Sequence, residues 1–192
     1  MRYAKPFLLA LLFATPAWAH PGHADGSGLL HGLAHPFGGL DHLLAMVAVG
    51  LWAAQAGDKA RWALPGAFLL SMALGGALAI GGAYLPAVEL GIAGSVVVFG
   101  LLLRLAVTLP LSVAVGLTAL LGLCHGYAHG AELAVGASVW GYGLGFIAAT
   151  ALLHGIGLLI GHAARTPAAV GALRVGGSMI AATGAVLLGI AV

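Results

Sequence analysis

The chain has 192 residues, 61% of them hydrophobic and 6% charged, with seven basic against five acidic side chains. Soluble domains carry about 25% charged residues, so a soluble domain is excluded, and the near-neutral balance gives no reason to expect nucleic acid as a partner. The 32 glycines lie inside apolar segments, where they let helix backbones approach closely, and the composition reads as an all-α, polytopic membrane bundle.

In chain order the first element is a leader. "MRYAK" is a short basic start, "PFLLALLFA" is apolar but too short to span, and "TPAWA" ends in small residues. This pattern predicts a secretory signal peptide over residues 1–19, cleaved after Ala19, and a single transmembrane domain over residues 20–192. Without Arg2 and Lys5 the seven basic residues become five, equal to the five acidic ones. His20 and His23 follow the cleavage point, where a free amine and an imidazole make either a loose chelate or an ordinary polar tail. Cys124 is the lone cysteine, so no intrachain disulfide forms.

A span needs about 20 mostly apolar residues. Six segments qualify: 36–55, 63–83, 87–105, 108–129, 136–160 and 169–191. With the leader removed, the mature N-terminus faces the periplasm of a bacterial inner membrane and the first span runs inward. Lys59, Arg61, Arg104, Arg165 and Arg174 then all fall on the cytoplasmic side, and the outer loops carry no basic residue. That is the positive-inside pattern, and an even number of spans returns the C-terminus to the periplasm.

Ionisable residues are costly inside a bilayer, so each is a functional candidate by default. The first span opens with "HPFGGLDHLLAM". Pro36 suits the first helical position. His35, His42 and Met46 would then share one helix face, with Asp41 beside His42 and Gly38 and Gly39 leaving the backbone uncrowded. The fourth span carries "CHGYAHGAE", in which His125, His129 and Glu132 form one stripe at spacings of four and three. Both clusters fall in the outer half of the bilayer, although they lie about 90 positions apart in the chain. Imidazoles and carboxylates are ligands for divalent transition metals, so His35, Asp41, His42, His125, His129 and Glu132 are the candidate metal residues.

The remaining polar groups divide. His154 lies further inward and either extends a metal path or bonds across a helix interface. Met46 and Cys124 read as packing residues, His162 as solvated, and Arg104 and Arg174 as snorkelling to headgroups. The G-x-x-x-G pairs Gly122/Gly126, Gly126/Gly130, Gly141/Gly145 and Gly157/Gly161 favour close packing, within the chain before dimerisation. No G-x-x-x-x-G-K-[ST], H-E-x-x-H or G-x-S-x-G motif occurs, which counts against ATP-driven transport and against the competing reading, an intramembrane zinc-dependent hydrolase. No catalytic residue and no resident cofactor are expected.

With His35-Pro36 and Asp41-His42 in the first span and "HGYAHGAE" in the fourth, the chain resembles the HupE/UreJ family of nickel permeases. The leader, the histidine after it and the six spans are similar too, so the likeness covers the whole chain. It implies import of nickel, or in some members cobalt, for hydrogenase or urease assembly. It carries His35, Asp41, His42, His125, His129 and Glu132 over as functional residues. One departure is Cys124, where the family often has phenylalanine.

Overall fold

The computed structural model describes residues 28–133 and 136–192. The leader, its cleavage point, His20 and His23 lie outside the described residues. Every regular element among the described residues is helical: α1 (Leu29–Ala34), a 3-10 turn (His35–Phe37), α2 (Leu40–Ala56), α3 (Ala60–Ile80), α4 (Val88–Leu105), α5 (Leu111–Ala131), α6 (Val139–Ala163) and α7 (Pro167–Ala191). The last five are each long and apolar enough to cross a membrane, and the bent pair Leu29–Phe37 with Leu40–Ala56 passes the same test when taken together, for up to six spans. In hydrocarbon a backbone must satisfy its own polar groups, and the α-helix does so within one segment.

The first span departs from the sequence expectation. Pro36 does not open a straight helix over 36–55. It is buried in the 3-10 turn, and α2 starts only at Leu40, after an 84° bend. Gly39 goes extended at the break, with φ −118° and ψ 128°. A Cβ there would stand 2.6 Å from Asp41 Oδ1 and 3.2 Å from His42 Nδ1. Glycine at this position thus leaves room for the Asp41–His42 pair. Periodicity alone misses such a break, because the residues on both sides of it are apolar.

Glycine faces set the helix pairs, as the G-x-x-x-G spacing anticipates. A Cβ on Gly122, Gly126 or Gly130 of α5 would run into backbone at Phe68, Met72 and Gly76 of α3. Both numbers rise together, so α3 and α5 run parallel. Gly157 on α6 meets Val47 and Leu51 of α2, while Gly145 meets Leu29 and Leu33 of α1. Helix α7 attaches to α4 in the opposite sense, with Gly177 on Gly100 and Arg104 and Gly184 on Val97. All four sequence pairs are thus used inside the chain.

The polarity of the bundle is inverted relative to a soluble protein. Leu70, Leu159, Val186 and Ile190 are exposed, while His42, Ser95, His125, His129, Thr150 and His154 are buried. Exposed Trp62 at one end, and Tyr84 and Trp140 at the other, mark the two interfaces where amphipathic rings settle. Short connections alternate the spans, so the 57–59, 106–110 and 164–166 turns share one end with the five basic residues among those described. The bend, the 81–87 connection and Glu132 share the other. Trp52 Nε1 donates to the Val107 carbonyl at 3.1 Å and ties the basic end. Tyr127 donates to the Ala83 carbonyl at 2.8 Å and ties the opposite one.

Candidate metal site

The bend turns His35 back over the start of α2, while α5 presents His125 and His129 toward the same axis. His35 therefore does not share a helix face with His42 and Met46. It reaches the cluster across the fold, its ring 4.6 Å from that of His129 and 6.4 Å from that of His42. His42 in turn lies 4.4 Å from His129 and 4.9 Å from His125 between ring centroids. Four imidazoles from two distant segments thus form a continuous chain, with Tyr142 and Phe146 of α6 against His35 and Phe146 against His129.

Two tiers result. At the rim, His35, His129 and Glu132 can each offer a ligand atom, all within 4.8 Å of one another. Glu132 caps α5 with an exposed edge, yet it loses enough water to raise its carboxyl above the ordinary carboxylate value. Deeper, His42 and His125 face each other, with Asp41 behind His42. The stripe expected over His125, His129 and Glu132 is therefore divided between the tiers.

Hydrogen bonds decide which nitrogen of each ring is free. Asp41 Oδ1 accepts from His42 Nδ1 at 2.8 Å and from the His42 backbone N–H at 2.8 Å. A carboxylate only accepts, so the His42 Nε2 lone pair is left to the cluster. Ser95 donates its hydroxyl proton to the Ile92 carbonyl at 2.6 Å. Its oxygen must then accept from His125 Nε2 at 2.8 Å, which frees the His125 Nδ1 lone pair. Among the described residues, His42 Nε2, His125 Nδ1 and both nitrogens of His129 are buried with no hydrogen-bond partner. Buried polar atoms are nearly always paired. Rings oriented from behind and unpartnered in front are arranged as metal-binding histidines are.

Two contributors were not read from the sequence. Ser95 lies on α4, in a span with no histidine, and only its distance to His125 reveals it. His31 lies on the unexpected helix α1, 6.0 Å from His35 and 5.9 Å from Tyr142 between ring centroids. Its spacing of four from His35 was the available signal. Met46 is fully buried, and His162 is exposed and bonds Arg165 at 2.8 Å. Cys124 is half-buried, with its sulfur filling the space that a Cβ on Gly91 would need.

Comparison with known proteins gives the same direction. The family model described as "HupE / UreJ protein" matches residues 8–187. Protein HupE of Rhizobium leguminosarum bv. viciae is 46% identical over 191 residues, covering 98% of this chain and 99% of its own. No solved structure gives a significant match. An apolar helical bundle, a buried histidine chain and a family match over most of the length agree: the chain belongs to the HupE/UreJ family of metal-transporting membrane proteins and is not an enzyme.

Proposed function

We propose that the chain is a nickel permease, with cobalt as a second substrate, which imports the ion from periplasm to cytoplasm across the bacterial inner membrane to supply hydrogenase or urease assembly. The observation that carries this reading is that His42, His125 and His129 bury ring nitrogens that no protein group meets. A hydrated dication enters hydrocarbon only if other donors replace its water. Neutral imidazole does this for nickel and cobalt and leaves magnesium and calcium behind. His35, His129 and Glu132 receive the ion at the rim, and His42, oriented by Asp41, passes it to His125. The five basic residues among the described ones group at the far end, which supports an orientation with the histidine rim on the periplasmic side.

Radiolabelled nickel accumulation tests the reading in cells lacking their own nickel importers. Wild type is compared with His42→Ala at matched membrane levels, with excess cobalt or zinc as competitors. Uptake by wild type falls to background in His42→Ala, and cobalt competes better than zinc. Well-expressed wild type that accumulates no nickel sinks the proposal.

A further inference from the structure

Beyond the outer cluster, the bundle buries another set of ligand-type atoms that the proposed site does not use. His154 on α6 is 2% exposed. Its Nδ1 lies 2.7 Å from the Met46 carbonyl, which can only accept, so the proton sits on Nδ1 and the lone pair on Nε2. That Nε2 is buried without a hydrogen-bond partner. A histidine placed only to join two helices would leave no such atom unmet, because a lone polar group in a dry interior is destabilising.

Two sulfurs gather one turn away. Thr150, also fully buried, precedes His154 by four residues on the same helix. Its hydroxyl lies 3.3 Å from Met46 Sδ and 3.8 Å from Met72 Sδ. Met46 comes from α2 and Met72 from α3, so three helices deliver two thioethers and an imidazole to adjacent turns of one buried layer. A single buried methionine is packing. Two sulfurs converging on one hydroxyl beside an unpartnered imidazole form a donor set. The layer continues the outer cluster, since Met46 follows His42 by one turn. Phe68 stands between the two, its ring 5.4 Å from that of His125 and 5.1 Å from that of His154.

We propose that His154 Nε2 with the sulfurs of Met46 and Met72 forms a second, deeper metal site through which the ion leaves the outer cluster. The proposal rests on the permease reading above. The donors are neutral, so they hold a dication loosely and release it readily, as a transit station must. Thioether sulfur is a soft donor, and imidazole suits nickel and copper. The layer therefore accepts borderline and soft cations and refuses magnesium, calcium and manganese, which need oxygen ligands. This screens the ion a second time after the carboxylate-containing rim.

The test uses the full chain in lipid nanodiscs, in a Cys124→Ala background so that no thiol contributes sulfur. Nickel chloride is added until binding by equilibrium dialysis reaches a plateau, and nickel-edge X-ray absorption then reads the ligands. The expected spectrum contains a sulfur shell beside nitrogen and oxygen. Met46→Leu with Met72→Leu, near-isosteric changes that preserve the core, removes that shell and lowers the plateau by one ion. His154→Gln lowers the plateau too, and both variants cut nickel uptake at least tenfold while the outer ion stays bound. Nickel uptake by the parent protein with a nitrogen and oxygen shell only, at full saturation, overturns the deeper site and leaves the permease reading standing. Neither uptake nor bound nickel overturns both.

Discussion

At the residue scale, the outer cluster depends on groups behind the imidazoles as much as on the imidazoles themselves. Ser95 separates the two contributions. Ser95→Ala leaves a buried His125 N–H with no acceptor, a loss of about 1–3 kcal/mol, and frees the ring to turn. Nickel affinity falls about 10- to 100-fold, the usual range for a group that orients a metal-binding histidine. Ser71 is the control: its hydroxyl donates only to the Phe68 carbonyl, at 3.0 Å, and Ser71→Ala leaves nickel affinity unchanged. Equilibrium dialysis of the purified variants checks both, and equal losses in the two would remove Ser95 from the site. His125 was legible from its spacing of four to His129. Ser95 was not, because a lone serine in an apolar span carries no pattern, and only packing puts it beside a ring 30 residues away.

At the scale of elements, lipid offers no hydrophobic drive between helices, so close backbone packing holds the pairs together. Two kinds of glycine follow. Gly126 lies against the Met72 backbone, whereas a Cβ on Gly155 would meet no atom within 4 Å. Gly126→Leu therefore forces α3 from α5, lowers the thermal unfolding midpoint and displaces Met72 and His125 together. Gly155→Ala leaves the midpoint equal or slightly higher, since alanine favours helix by about 0.8–1 kcal/mol over glycine. Thermal scans in detergent rank the two, and an equal response would argue that α3 and α5 are not held by their glycine contact. The spans were readable from hydropathy to within a few residues at most ends. The bend at Gly38-Gly39 was not, because hydropathy does not distinguish a straight span from a broken one.

At the scale of the whole molecule, charge and ligand chemistry occupy opposite ends of one bundle. The five basic residues among those described sit at the end bearing the 57–59 turn, and the rim of the histidine cluster sits at the end bearing Tyr84 and Glu132. Single cysteines in a Cys124→Ala background read the sidedness. Tyr84→Cys in intact cells reacts with a membrane-impermeant maleimide, whereas Lys59→Cys reacts only after lysis. Both positions are exposed, so the reverse pattern would turn the protein over and place the histidine rim on the cytoplasmic side.

Composition and residue order are enough to establish a helical membrane bundle, roughly where its spans lie, and which imidazoles and carboxylates are candidates for one site. Hydropathy, the cost of buried charge and the grouping of basic residues are properties of composition and order, so they are readable without coordinates. Tertiary structure decided what those residues do to one another. It folded His35 back across an 84° bend, split the expected stripe into a rim and a deeper pair, and brought the Met46 and Met72 sulfurs to Thr150, one turn from His154. These outcomes turn on contacts of about 3 Å between separate helices. Helical periodicity states which face a side chain occupies, and only packing states which partner that face meets.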